Sequence, residues 1–182
     1  YERFKDQFGR VLMGFFTDEP QYFRYQTAYS PVMLKAYRER YGEDLLKELG
    51  ALFMDCDESD RLRYRYWKLM NELYTESFAG QIFRWCEKHN CMMTGHSIEE
   101  SSLFGQMMCC AGVMPFYQYE HIPGMDWLGR RVGSEVSPRQ VSSVAQQLGR
   151  KHTLTETFAC CGWDVTPKEL KRIAVWQYVN GI

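Results

Sequence analysis

The stretch Val11-Leu12-Met13-Gly14-Phe15-Phe16-Thr17-Asp18-Glu19-Pro20 decides how this chain is read. Its first seven residues are almost continuously apolar, as expected of a strand covered on both faces in a parallel sheet. It then turns acidic and stops at a proline, so its polar groups fall at the strand's carboxyl end. Three further segments repeat the arrangement. Cys91-Met92-Met93-Thr94-Gly95 ends in His96, Ile122-Pro123-Gly124-Met125 ends in Asp126, and the strand Lys151 to Thr157 carries Glu156 near its end. The third is the least strand-like, because proline and glycine suit strands poorly.

Helical patterns separate these runs. Ser30-Pro31 supplies an N-cap and a proline at the first helical position, and Gly42 ends that segment. A long helix is expected from about Ser59 to His89. Leu62, Tyr66, Leu69 and Leu73 form its stripe, and Ile82 and Cys86 extend it with some drift. Ser97 with Glu100 and Ser137 with Gln140 read as capping boxes, as does Thr166 with Glu169. Leu103, Met107 and Cys110 mark the buried face expected after the first box; the stretch from Val113 to Tyr119 fits a helix or a strand, and a helix is favoured because the segment after it supplies the strand. Strand followed by helix, four times over, is the signature of an α/β fold with a parallel sheet. No glycine-rich phosphate loop follows any strand, which argues against a nucleotide-binding fold.

Composition narrows the function classes. The 182 residues carry a net charge of −1 with both signs interspersed, so nucleic acid is not an expected partner. No apolar run is long enough to span a membrane, and the opening residues are not expected to form a signal peptide. Both ends read as cuts within a longer protein: the chain opens at Tyr1 without Met and stops just after a helix. Seven cysteines without framework spacing read as small buried hydrophobes in a reducing, cytoplasmic compartment, and no metal site is expected from their spacing. Aromatics at 15% point either to a heavy core or to rings that pack on sugar C–H faces.

Position singles out the candidate site. A parallel βα barrel places its active site at the carboxyl ends of its strands, and Asp18, Glu19, His96, Asp126 and Glu156 all fall there. Glycoside hydrolysis needs one carboxyl that donates a proton and a second that attacks the sugar or activates water. Glu19 and Glu156, three strands apart, are the candidate pair; the plainer alternative for each is a loop carboxylate or a helix cap. Asp18, His96, Asp126 and Trp163 are candidate substrate contacts. His96 could equally orient its loop or ligate a metal, Asp126 could bind a sugar hydroxyl or calcium, and Trp163 could pack in the core.

The blocks Gly14 to Pro20, Thr94-Gly95-His96, Ile122 to Asp126 and Thr155-Glu156-Thr157-Phe158, with Tyr37 to Gly42 and Asp44-Leu45-Leu46, run in order through nearly the whole chain. Together they resemble bacterial glycoside hydrolases, nearest to the α-L-rhamnosidase-like family 106 and its relatives. That resemblance implies that residues 1–182 are one fragment of a (β/α)8 barrel, supplying its fourth to seventh strands. It implies a carbohydrate substrate, Glu19 as the acid and Glu156 as nucleophile or base. It also implies a possible calcium ion near the substrate, no other cofactor, and inversion if the rhamnosidase assignment holds. Ala159-Cys160-Cys161 departs from the small residues expected after Phe158. A fragment of this kind is expected to expose sheet edges, to be inactive alone, and either to form homodimers through those edges or to adopt an incomplete half-barrel. Two other readings stay open: a non-catalytic carbohydrate-binding or scaffold domain, and a metal hydrolase using His96, Asp126 and Glu156.

Overall fold

The computed structural model describes residues 1–22 and 26–182. Among these residues are four short strands: β1 (Gly14–Asp18), β2 (Met92–His96), β3 (Gly124–Trp127) and β4 (Leu154–Thr157). β1 pairs with β2, and β3 with β4, both in parallel. A parallel bridge, Thr94 to Ile122, joins the two pairs, supported by a hydrogen bond from the His121 N–H to the Met93 carbonyl at 2.9 Å. The chain is therefore mixed α/β, with two short parallel sheets laid in chain order.

The helices are α1 (Pro31–Tyr41), α2 (Leu45–Glu48), α3 (Gly50–Phe53), α4 (Ser59–Thr75), α5 (Gln81–Lys88), α6 (Leu103–Cys110), α7 (Met114–Tyr117), α8 (Val136–Gln147) and α9 (Pro167–Val179). The main core lies where α5, α6, α7 and α8 cover the two central strands, around Met93, Met125, Phe116, Tyr117 and Val141. Burying each such side chain contributes roughly 1.5–3 kcal/mol. A second cluster, including Met33, Tyr37, Leu62, Tyr66 and Leu69, locks α1 against α4.

Local signals succeed where nothing competes with them. The Ser30 hydroxyl accepts from the Met33 N–H at 3.2 Å, and Gly42 ends α1 at φ 72°. Thr166 and Glu169 form the full reciprocal box at the start of α9. The drift along the expected 59–89 helix has a physical cause: a π-type turn at Glu76–Gly80 separates α4 from α5 and resets the phase of the buried stripe.

Three expectations need correction. The first strand starts at Gly14 rather than Val11, and its Phe15 and Phe16 are 44% and 48% exposed, because β1 lies at an edge and is not covered on both faces. Ser97 caps no helix: α6 begins later, at Leu103, with Ser102 as its cap. That later start turns Gly105, Gln106, Cys109 and Cys110 inward and leaves Leu103 exposed. Ser137 lies inside α8, which starts at Val136 without a side-chain cap.

Glycines set how closely the strands approach. A Cβ on Gly95 would lie 2.3 Å from the Thr17 carbonyl oxygen, and one on Gly124 would lie 2.2 Å from the Gly95 carbonyl oxygen. Neither obstacle is a flexible side chain, so a methyl there must push strands apart. Gly95→Ala and Gly124→Ala are each expected to cost about 2–3 kcal/mol. Gly133→Ala, which meets nothing within 4 Å, should stay within about 0.5 kcal/mol. Urea unfolding of the three variants checks this, and unchanged midpoints for Gly95→Ala and Gly124→Ala would refute it.

Candidate functional site

The strand register brings the polar ends together. Asp18 lies opposite His96 at the end of the β1–β2 pair, and Asp126 lies opposite Glu156 near the end of the β3–β4 pair. His96 closes the gap between the pairs. Its Nε2 lies 2.9 Å from Glu156 Oε2 and 3.4 Å from Asp18 Oδ1, although β3 runs between β2 and β4. Flat neighbouring strands lie about 4.8 Å apart. A side-chain bond that skips one strand therefore requires both residues to project onto the same face.

His96 is almost wholly buried, and the Phe16 ring stands edge-on to it at 5.4 Å. Burial pulls the imidazole below its usual pKa, against the opposing pull of Glu156, Asp18 and Glu19. The neutral ring, with Nε2–H donating to Glu156, is the form this setting favours. Asp126 is pushed up to about 6, first by burial and then by the charges of Glu156, Glu19 and Asp18. Glu19 sits at φ 48° immediately before Pro20. The left-handed region is uncommon for residues other than glycine, and such strain gathers at functional sites.

Several buried polar atoms at this end have no partner among the described residues: Thr17 Oγ1, His96 Nδ1 and Asp126 Oδ1. An unmet buried polar atom costs about 1–3 kcal/mol, so a cluster of them marks a place that the fold alone does not account for. Beside them opens a cleft of about 490 Å3, whose walls include Glu19, Ser97, Glu100, Asp126, Trp127 and Arg131. A hollow of about 570 Å3 between α1 and α4 is mostly apolar and holds none of the strand-end carboxylates.

The residues named from sequence thus divide. Asp18, His96 and Glu156 touch, and Asp126 and Glu19 act on the same cluster through their charges. Trp163 does not line the cleft; it is fully exposed on the loop after β4. That loop is tied down by Arg130. Its side chain donates to the Cys161 carbonyl at 2.5 Å and pairs with Asp164 and Glu169, and its own carbonyl accepts from Arg172. The Ala159-Cys160-Cys161 departure falls on strained backbone, with Phe158 at φ 72° and Cys160 at φ 57°.

The donor atoms of Asp18, His96 and Glu156 lie within 4.8 Å of one another. This is the trio that converges, in place of His96, Asp126 and Glu156. One imidazole and two carboxylates do not match calcium, which takes six to eight oxygen ligands. Sequence reading missed Glu100, because Ser-x-x-Glu also spells a helix cap. Glu100 is 4% exposed and accepts the Ser97 N–H at 2.8 Å, the Asp126 N–H at 2.9 Å and the Tyr117 hydroxyl.

Fold and site together define a parallel α/β segment that carries its acidic residues at the carboxyl ends of its strands. Among solved structures, the rhamnosidase from Novosphingobium sp. PP1Y matches it with a TM-score of 0.74 and 19% identity, over 98% of this chain. The match takes in 17% of that chain, so this segment spans a small part of the other protein. The chain accordingly shares its fold with a segment of that rhamnosidase. No protein-family model matches the sequence, and no curated protein matches it either. No helix among the described residues is long and apolar enough to cross a membrane.

The raised pKa of Asp126 has a stability consequence with a definite sign. Its folded value, about 6, lies above the ordinary 3.8, so the protonated form that the fold prefers is lost as pH rises through about 6. Asp126→Asn keeps a neutral group there at every pH. The thermal midpoint of the native chain should therefore fall relative to Asp126→Asn between about pH 4 and pH 7, while contributions from His96 and other groups largely cancel in the difference. Parallel melting curves across that range would refute it.

Proposed function

We propose that this chain is part of the catalytic barrel of a glycoside hydrolase and cleaves glycosidic bonds with two carboxyl groups at its strand ends. The observation that carries this reading is the convergence of Asp18, Glu19, Asp126 and Glu156 around His96 at one end of parallel strands. The likeness of fold to a rhamnosidase supports it. On this reading the strands are the fourth to seventh of a (β/α)8 barrel, and the free edges of β1 and β4 are where further strands join.

Glu156, held by His96, serves as the base that activates water or as the nucleophile. Glu19, in the wall of the cleft, donates the proton to the leaving oxygen. A second assignment has its own support. The carboxyl of Asp126 stays protonated to about 6 and would serve as the acid in weakly acidic solution. Trp163, displayed by the Arg130-clamped loop, offers a ring face for a sugar unit beyond the bond being cut.

The test uses the protein with its complete barrel and a panel of nitrophenyl glycosides beginning with the α-L-rhamnoside. Glu156→Gln should lower kcat by about 10³-fold or more. The acid identifies itself by leaving group. Whichever of Glu19→Gln and Asp126→Asn spares dinitrophenyl glycosides and cripples alkyl glycosides is the proton donor, because a good leaving group needs little protonation. Trp163→Ala should raise KM on oligosaccharides and leave nitrophenyl glycosides unchanged. Sugar binding that survives all three carboxyl substitutions, with no hydrolysis by the native protein, would favour a non-catalytic carbohydrate-binding domain.

A further inference from the structure

Parallel strands give alternate N–H groups to alternate neighbours. β3 receives its β4 bonds on one side, including the Leu154 N–H on the Pro123 carbonyl at 2.9 Å. On the other side the bridge to β2 ends at Ile122. The N–H groups of Gly124 and Asp126 bond to side chains instead: Gly124 to Glu120 Oε2 at 3.2 Å and Asp126 to Glu100 Oε2 at 2.9 Å. Both carboxyls are buried, a costly choice where an ordinary ladder would have served.

Glu100 does more than fill a gap. Its other oxygen accepts the N–H of Ser97, the residue after His96, at 2.8 Å. One carboxyl thus grips the chain beside His96 on β2 and at Asp126 on β3. It is itself held from behind. The Tyr117 hydroxyl meets it from α7, and Gln106 of α6 donates to its backbone carbonyl at 2.6 Å and to Gln140 of α8 at 2.8 Å.

We propose that Glu100 is a positioning residue, whose buried carboxyl replaces the missing ladder between β2 and β3 and sets the placement of His96 relative to Asp126. Its consequence for turnover rests on the glycosidase reading; the geometric role does not. Glutamine is a poor substitute here. The carboxyl presents both oxygens to two backbone N–H groups, whereas an amide must turn its NH2 toward one of them.

The titratable groups facing Glu100 are Tyr117 from α7, Cys110 from α6, Asp126 from β3 and Glu120 from the loop before β3. All are acids. Burial lifts Glu100 to about 7, against the pull of its three donors. Its titration therefore falls in a range that NMR reaches without unfolding the chain.

The experiment has a structural and a kinetic arm. In Glu100→Gln, amide exchange at Ser97 and Asp126 should quicken by about tenfold or more. The Asp126 carboxyl midpoint, read by 13C NMR, should fall by about one unit as water reaches it. Tyr117→Phe keeps both backbone bonds and should leave the two amides protected. A folded Glu100→Gln with unchanged exchange and an unchanged Asp126 midpoint would overturn the proposal. If that variant fails to fold, the native chain decides: the Ser97 amide shift must follow the midpoint of Glu100, and a Ser97 amide that ignores it overturns the proposal. In the protein with its complete barrel, assayed with 4-nitrophenyl α-L-rhamnopyranoside, Glu100→Gln should lower kcat by about 10²-fold with KM nearly unchanged. Exchange that quickens in a protein whose native form hydrolyses none of the panel supports the positioning role and counts against the glycosidase reading. Native hydrolysis with an unaltered kcat in Glu100→Gln counts against the positioning role alone.

Discussion

The arrangement depends on backbone contact at two glycines. Because Gly95 has no side chain, the Thr17 carbonyl can lie against it; because Gly124 has none, the Gly95 carbonyl can do the same one strand further on. These contacts draw β1, β2 and β3 together in sequence, although among the described residues only one bridge joins the two halves of the sheet. Wider spacing would carry His96 out of reach of Glu156 across β3, and the acidic groups would sit apart as ordinary surface carboxylates.

Crowding acids together has an electrostatic cost, and the site bears it unevenly. Asp126 absorbs much of it, since burial and the charges of Glu156, Glu19 and Asp18 all favour its protonated form. His96 is pulled both ways: burial favours its neutral form while the same carboxylates favour the cation, and burial prevails. A group that holds its proton beside groups that act as charges is the division that general acid–base chemistry uses. Behind the cluster, Glu100 and Glu120 carry the proton-holding tendency into the core, where their burial secures the N–H groups that β2 leaves unmet.

Much of this was legible as sequence. Each strand end bears a group suited to chemistry, and those positions survive in the structure: Asp18 and His96 close their strands, and Asp126 and Glu156 occupy paired positions. What misled was local motif reading. Thr166-Pro167-x-Glu169 builds a capping box because its loop is exposed and Arg130 meets Glu169 only at its far oxygen, leaving the other to Thr166. Ser97 and Glu100 have the same spacing, yet β3 and Tyr117 offer Glu100 further donors and take it into the core. A cap is a short-range bargain of about 1 kcal/mol; a buried carboxyl with three donors outweighs it.

By itself the sequence determined which residues stand at strand ends, where α1 and α9 begin, and that strands alternate with helices. These follow from apolar periodicity, proline and local hydrogen-bonding chemistry, all of which act over a few residues. Only the tertiary structure decided that Asp18, His96 and Glu156 meet, that Trp163 lies on an open loop, and that Glu100 belongs to the site rather than to a helix. Each of those depends on groups brought together from dozens of residues away, at spacings that strand register and two missing side chains set.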